Sequence, residues 1–141
     1  NVVPDSFKTD LLKGTFNFDS SGGSTFKLAL YTDISGLTTS TTAFTTSNEV
    51  STSGTNYTSG GNALTNNGVS VSSNIAFVDF ADLTFSSVTL SAVGALIYKS
   101  SSNEAVLVLD FGGTKTATNG DFVVQFPTAN SSSAIIRLGD A

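Results

Sequence analysis

Asp79 and Asp82 are the residues of this chain whose type and spacing first invite a chemical reading. Two carboxylates held ~5 to 10 Å apart can cleave a glycosidic bond, and Asp110 and Asp121 widen the choice of pairs. Their strand-end and turn positions point elsewhere, because aspartate caps turns by accepting hydrogen bonds from nearby backbone amides. A calcium loop needs alternating oxygen ligands, yet Asp19-Ser20-Ser21-Gly22-Gly23 supplies one carboxylate. Neither Gly22-Gly23 nor Gly60-Gly61 leads into a helix or a Lys-Ser/Thr pair, so no phosphate-binding loop is expected. Histidine and cysteine are both absent, which removes the usual general base near neutrality, the thiolate nucleophile and the common zinc ligands. The many serines lack a Gly-x-Ser-x-Gly elbow and any histidine to activate them. No catalytic residue, metal ion or cofactor is expected, and the chain reads as a structural or binding module rather than an enzyme.

The aromatic residues offer the next chemistry, since sugar-binding modules stack rings on pyranose faces. The chain has eleven Phe, three Tyr and no Trp. The phenylalanines fall mostly at strand positions that read as core. Tyr31, Tyr57 and Tyr98 carry a polar tip on an apolar ring and suit an interface or a binding face. Six Lys plus Arg against eleven Asp plus Glu leave a net charge of −5, which opposes binding to nucleic acid or to an anionic membrane. The apolar-leaning stretch Val88 to Tyr98 is broken by Thr89, Ser91 and Gly94 and falls short of the ~20 residues of a membrane-spanning helix. Asn1 to Gly14 offers no basic start, long apolar run or small-residue cleavage site, so no targeting segment is expected within it.

The elements that position these residues follow from period and punctuation. Charged residues make up only 12% of a chain rich in Ser, Thr, Gly and Asn, a composition for pleated surfaces and tight turns rather than long amphipathic helices. One helix is predicted over Asp5 to Gly14, opened by Pro4 with Asp5 or Ser6 and closed by Gly14. At two turns it needs a surface to dock on. Alternation predicts strands at Thr25 to Thr32, around Val69 and Val71, and over Ile75 to Phe80, Val88 to Ala92, Ala95 to Lys99, Ala105 to Phe111, Phe122 to Phe126 and Ala134 to Leu138. Gly22-Gly23, Gly60-Gly61, Asn66-Asn67-Gly68, Gly112-Gly113 and Asn119-Gly120 are expected to turn the chain between them. Lys99 to Asn103 should close a hairpin. Ile34 to Asn67 is expected to form long surface loops with at most one short strand. The fold class is therefore all-β, an antiparallel β-sandwich or jelly-roll-like domain over residues 19–141 behind a short N-terminal helix or arm over residues 1–18. The apolar residues of that arm, Phe7, Leu11, Leu12, Phe16 and Phe18, are the candidate interface.

A set of short runs also resembles a known group. Ser6 to Phe18, Phe26 to Thr32, Asn48-Glu49-Val50 leading to Tyr57 to Gly61, Ala76 to Phe80, Ala92 to Tyr98, Val108 to Gly112, Phe122 to Pro127 and Ala134 to Leu138 together resemble small structural proteins of tailed bacteriophages. The resemblance implies a virion component on the capsid exterior, most simply a decoration (cement) protein whose partner is the major capsid protein. It carries no functional residues over. Multivalent attachment raises affinity without new contacts, so a homo-oligomer, dimer or trimer, is expected. A tail, neck or fibre component and a carbohydrate-binding β-sandwich module are the alternative readings.

Overall fold

The computed structural model describes residues 1–140. Helix α1 (Asp5–Leu12) forms where the sequence predicts it. Extended Pro4 precedes it, and the first helical amide, that of Asp5, donates to the Thr39 carbonyl at 2.9 Å instead of to a capping side chain. Its end is a Schellman turn: Gly14, at φ +80°, donates to Leu11, and Thr15 donates to Asp10 at 3.0 Å.

Seven strands follow: β1 (Phe26–Tyr31), β2 (Asn62–Ala63), β3 (Asn66–Ser72), β4 (Ile75–Phe80), β5 (Leu83–Lys99), β6 (Ala105–Val124) and β7 (Ile136–Leu138). One sheet has the order β2-β1-β5-β6 and the other β3-β4-β7, with every pairing antiparallel. The molecule is an all-β sandwich with one short N-terminal helix, as the alternation predicts.

The strand bounds differ from expectation in two places. Val88 to Ala92 and Ala95 to Lys99 lie on the single strand β5, and Ala105 to Phe111 and Phe122 to Val124 lie on the single strand β6. Gly112-Gly113 and Asn119-Gly120 produce register shifts within the ladder rather than reversals of the chain. The positive φ that marks a tight turn, +76° at Gly112 and +46° at Asn119, equally accommodates the extra residues of a β-bulge. The predicted Lys99 to Asn103 hairpin is present, closed by Lys99 N donating to Glu104 O at 2.9 Å.

The four-stranded sheet is covered on both faces. Phe26, Leu28 and Leu30 point into the main core with Val78 and Phe80 of the second sheet and with Ile97, Val106 and Phe122. Ala29 and Tyr31, on the opposite face of β1, join Leu96, Tyr98 and Val108 in a second core lidded by Leu37 and packed against Ile34, Phe44 and Val2. That second layer explains why the Ser/Thr-rich segment after β1 is ordered without regular structure: its few apolar residues are anchors, and its hydroxyls satisfy the backbone locally. Thr38 and Thr41 exchange such bonds within one turn.

Both edges of this sheet are occupied in part, β6 only near its start. Val2 and Val108 exchange backbone hydrogen bonds at 2.9 Å along β6. Along β1, β2 pairs with Lys27 and Leu28 while Val50 donates to Leu30.

Candidate docking face

Phe7, Phe16 and Phe18 lie inside the chain's own core, each less than 10% exposed. Phe18 stacks on Phe26 with centroids 4.8 Å apart and planes 4° apart, and Phe7 and Phe16 pack at 5.1 Å. Residues 1–18 thus supply an aromatic cluster to the sandwich, with Phe16 and Phe18 against Phe26, which in turn meets Phe80 edge-on. Leu11 is half-buried against the same core. Leu12 is different: it is 83% exposed. Of the five candidate interface residues, the structure therefore separates three core rings from Leu12 at the surface, with Leu11 between them.

Leu12 stands on the rim of a groove of ≈ 500 Å³ between α1 and β7. Val3, Leu11, Leu107, Ile136 and Leu138 make its apolar lining; Lys8 borders it, and Arg137 contributes to its wall between Ile136 and Leu138 while its side chain alternates to the other face. Register explains the surface beyond. Leu138 pairs with Ala76 and Ala76 with Val71, while Ile136 pairs with Val78 and Val78 with Val69. Since residues directly opposite share a face, both rows belong to the inner face of the second sheet. The Ile136 row reaches the core at Val78, but Leu138 and Val71 remain 59% and 72% exposed. The inner face thus runs past the body it covers, and Leu138 belongs both to its exposed row and to the groove.

Strand β7 is the terminal strand of its sheet. Among the described residues, the only backbone partner of β7 is β4. Arg137 points to the face opposite Ile136 and Leu138, opposite Phe77 across the pair, and donates to the Ser132 carbonyl at 2.6 Å.

The acids singled out in the sequence serve turns and loops. Asp82 accepts from the Phe126 amide at 2.8 Å, Asp110 from Gly112 at 2.8 Å and Asp121 from Ser87 at 3.3 Å, while Asp79 accepts from the Asn67 side chain at 2.8 Å. Among the described residues no three His, Cys, Asp or Glu side chains gather as a metal site would require.

The tyrosines pack in the interior rather than on an interface or binding face. All three are at most 3% exposed and are tied to the interior. Tyr31 donates to the Thr45 carbonyl at 2.6 Å and Tyr98 to the Gly60 carbonyl at 2.7 Å, with Phe44 stacked on Tyr98 at 4.6 Å. Burial pushes all three phenols above the usual tyrosine range, reinforced by the nearby Glu49 charge. No tyrosine is presented to a sugar ring.

Glu49 is the residue that sequence reasoning passed over. Its carboxylate accepts from the Tyr57 hydroxyl, the Ser59 hydroxyl and the Gly60 amide, each at 2.7 Å. Every one of these donors is internal, so Glu49 pins the loops over the edge of β1. A lone acid in a polar tract gives no periodic signal that could have revealed it. Comparison with protein-family models, curated proteins and solved structures finds no match to this chain.

Proposed function

We propose that this chain is a structural binding protein, a capsid decoration (cement) protein of a tailed phage, that attaches through the face formed by α1, β7 and the outer ends of β3 and β4. The observation that carries the docking role is Leu12, 83% exposed at the end of a helix whose Phe7 is buried. A large aliphatic side chain held in water on the same groove as exposed Leu138 is the pattern of a surface that becomes buried on association. The virion assignment rests on the sequence resemblance. A decoration protein performs no reaction and must recognise a repeating lattice, and a small rigid sandwich with one apolar face suits that task. Self-association into a dimer or trimer would multiply a modest contact at each lattice point.

Cryo-electron microscopy of the intact particle tests this reading. Density for the sandwich on the outer surface of the head, with the α1–β7 face against the capsid subunit, is the expected result. Absence from the head, or attachment through another face with Leu12 in solvent, would overturn it.

A further inference from the structure

We infer that the α1–β7 groove takes an extended segment of a partner protein, which adds to the second sheet as a strand beside β7 and carries the pattern apolar–acidic–apolar. The inference rests on the docking role proposed above, but not on the identity of the partner as a capsid.

Three observations lead to it. β7 ends its sheet, so its outer backbone groups are available to pair with an incoming strand. Beside that edge the groove is apolar, lined by Leu11, Leu12, Ile136 and Leu138, which matches side chains from one face of an extended segment. Arg137, between Ile136 and Leu138, points to the other face. An incoming strand therefore places its alternate residues in two environments: the outer two against the groove, and the central one opposite a guanidinium with donors to spare beyond its bond to Ser132. Opposite charges directly across a strand pair stabilise it.

The same geometry argues against a second copy. Antiparallel self-pairing of the three residues of β7 about their centre would set two Arg137 side chains opposite one another, and like charges so placed destabilise a pair.

The test is selection of a displayed random dodecapeptide library against the full chain, with hydrogen exchange on the complexes. Enriched peptides are expected to share an apolar–acidic–apolar core, and binding should slow exchange of amides within Ile136 to Leu138. Arg137→Glu is expected to weaken these peptides about tenfold, replacing attraction by repulsion, and to shift selection towards a basic central residue. Arg137→Gln, which retains a donor for Ser132, should abolish the acidic preference while leaving the apolar one. No enrichment, enriched peptides that leave β7 exchange unchanged, or a dimer of the free chain that already protects β7 would each overturn the inference. A chain that decorates heads yet selects no such peptide defeats this inference alone. One that selects them but is missing from particles defeats the virion reading alone.

Discussion

Tyr57 gives its phenolic proton to Glu49 Oε2 across 2.7 Å, and the phenolic oxygen of Tyr57 accepts from the Leu30 amide at 3.0 Å. One hydroxyl thus satisfies an edge amide of β1 and a carboxylate from the loop over that edge. The link joins the main core, which contains Leu30, to the polar tract that follows β1.

Tyr57→Phe removes both bonds while keeping the ring against Phe85. Leaving the buried Leu30 amide without its partner should cost about 1 to 3 kcal/mol. A lower urea midpoint at unchanged slope is the expected reading; an unchanged midpoint would mean that another group replaces the phenol.

The three raised phenols set the alkaline limit of the fold. In the unfolded chain they ionise near the ordinary value of about 10, and in the native state they stay protonated to higher pH. Their contribution is complete below that ordinary value and is lost as pH rises through the native values, because unfolding then releases protons. Phenolate absorbance and loss of β-sheet circular dichroism should appear together above about pH 10. Phenolate formation in a still-folded chain would refute this.

Two glycines with nearly equal φ should respond differently to alanine. At Gly61, φ +76°, a Cβ would land on the Leu28 carbonyl oxygen, whereas at Gly112, also φ +76°, it meets nothing within 4 Å. Gly112→Ala carries only the left-handed penalty of about 1 kcal/mol. Gly61→Ala adds displacement of the backbone of β1 and should exceed about 2 kcal/mol. Equal melting temperatures for the two variants would contradict the packing described for Gly61.

Phe18→Ala should destabilise the isolated chain by about 3 to 5 kcal/mol through loss of its stack on Phe26. Leu12→Ala should change stability by less than about 0.5 kcal/mol while weakening attachment to the partner. If Leu12→Ala melted as early as Phe18→Ala, Leu12 would be a core residue and the docking face would be misplaced.

Much of the sandwich was legible because its signals are local. Alternation marked Phe26 to Tyr31 and Ile75 to Phe80, and Pro4 with Gly14 bracketed the helix. The length of β5 and β6 was hidden because glycine and asparagine mark bulges and reversals alike, and only the partner strand decides between them. The candidate interface was legible as apolar but not as inside or outside. Leu11 and Leu12 are neighbours of identical type, and their different exposure depends on which side of α1 meets β6 and β7. Glu49 was invisible for a related reason: its donors, Tyr57, Ser59 and Gly60, come together only when the loop closes over β1.

The long β5–β6 hairpin also bears on the order in which the molecule assembles. Its strands, 17 and 20 residues long, are joined by a short turn, so closing it costs little chain entropy, whereas bringing β1 to β5 must span β2, β3, β4 and their flanking loops. The hairpin is then the natural nucleus, and the remaining strands condense on it later. Val106→Ala, at the buried start of β6 next to the hairpin turn, should chiefly slow refolding, while Ile136→Val in β7 should chiefly hasten unfolding. The reverse assignment would place the nucleus in the second sheet. A chain assembled in this order keeps β7, and with it the docking edge, among its last elements to set.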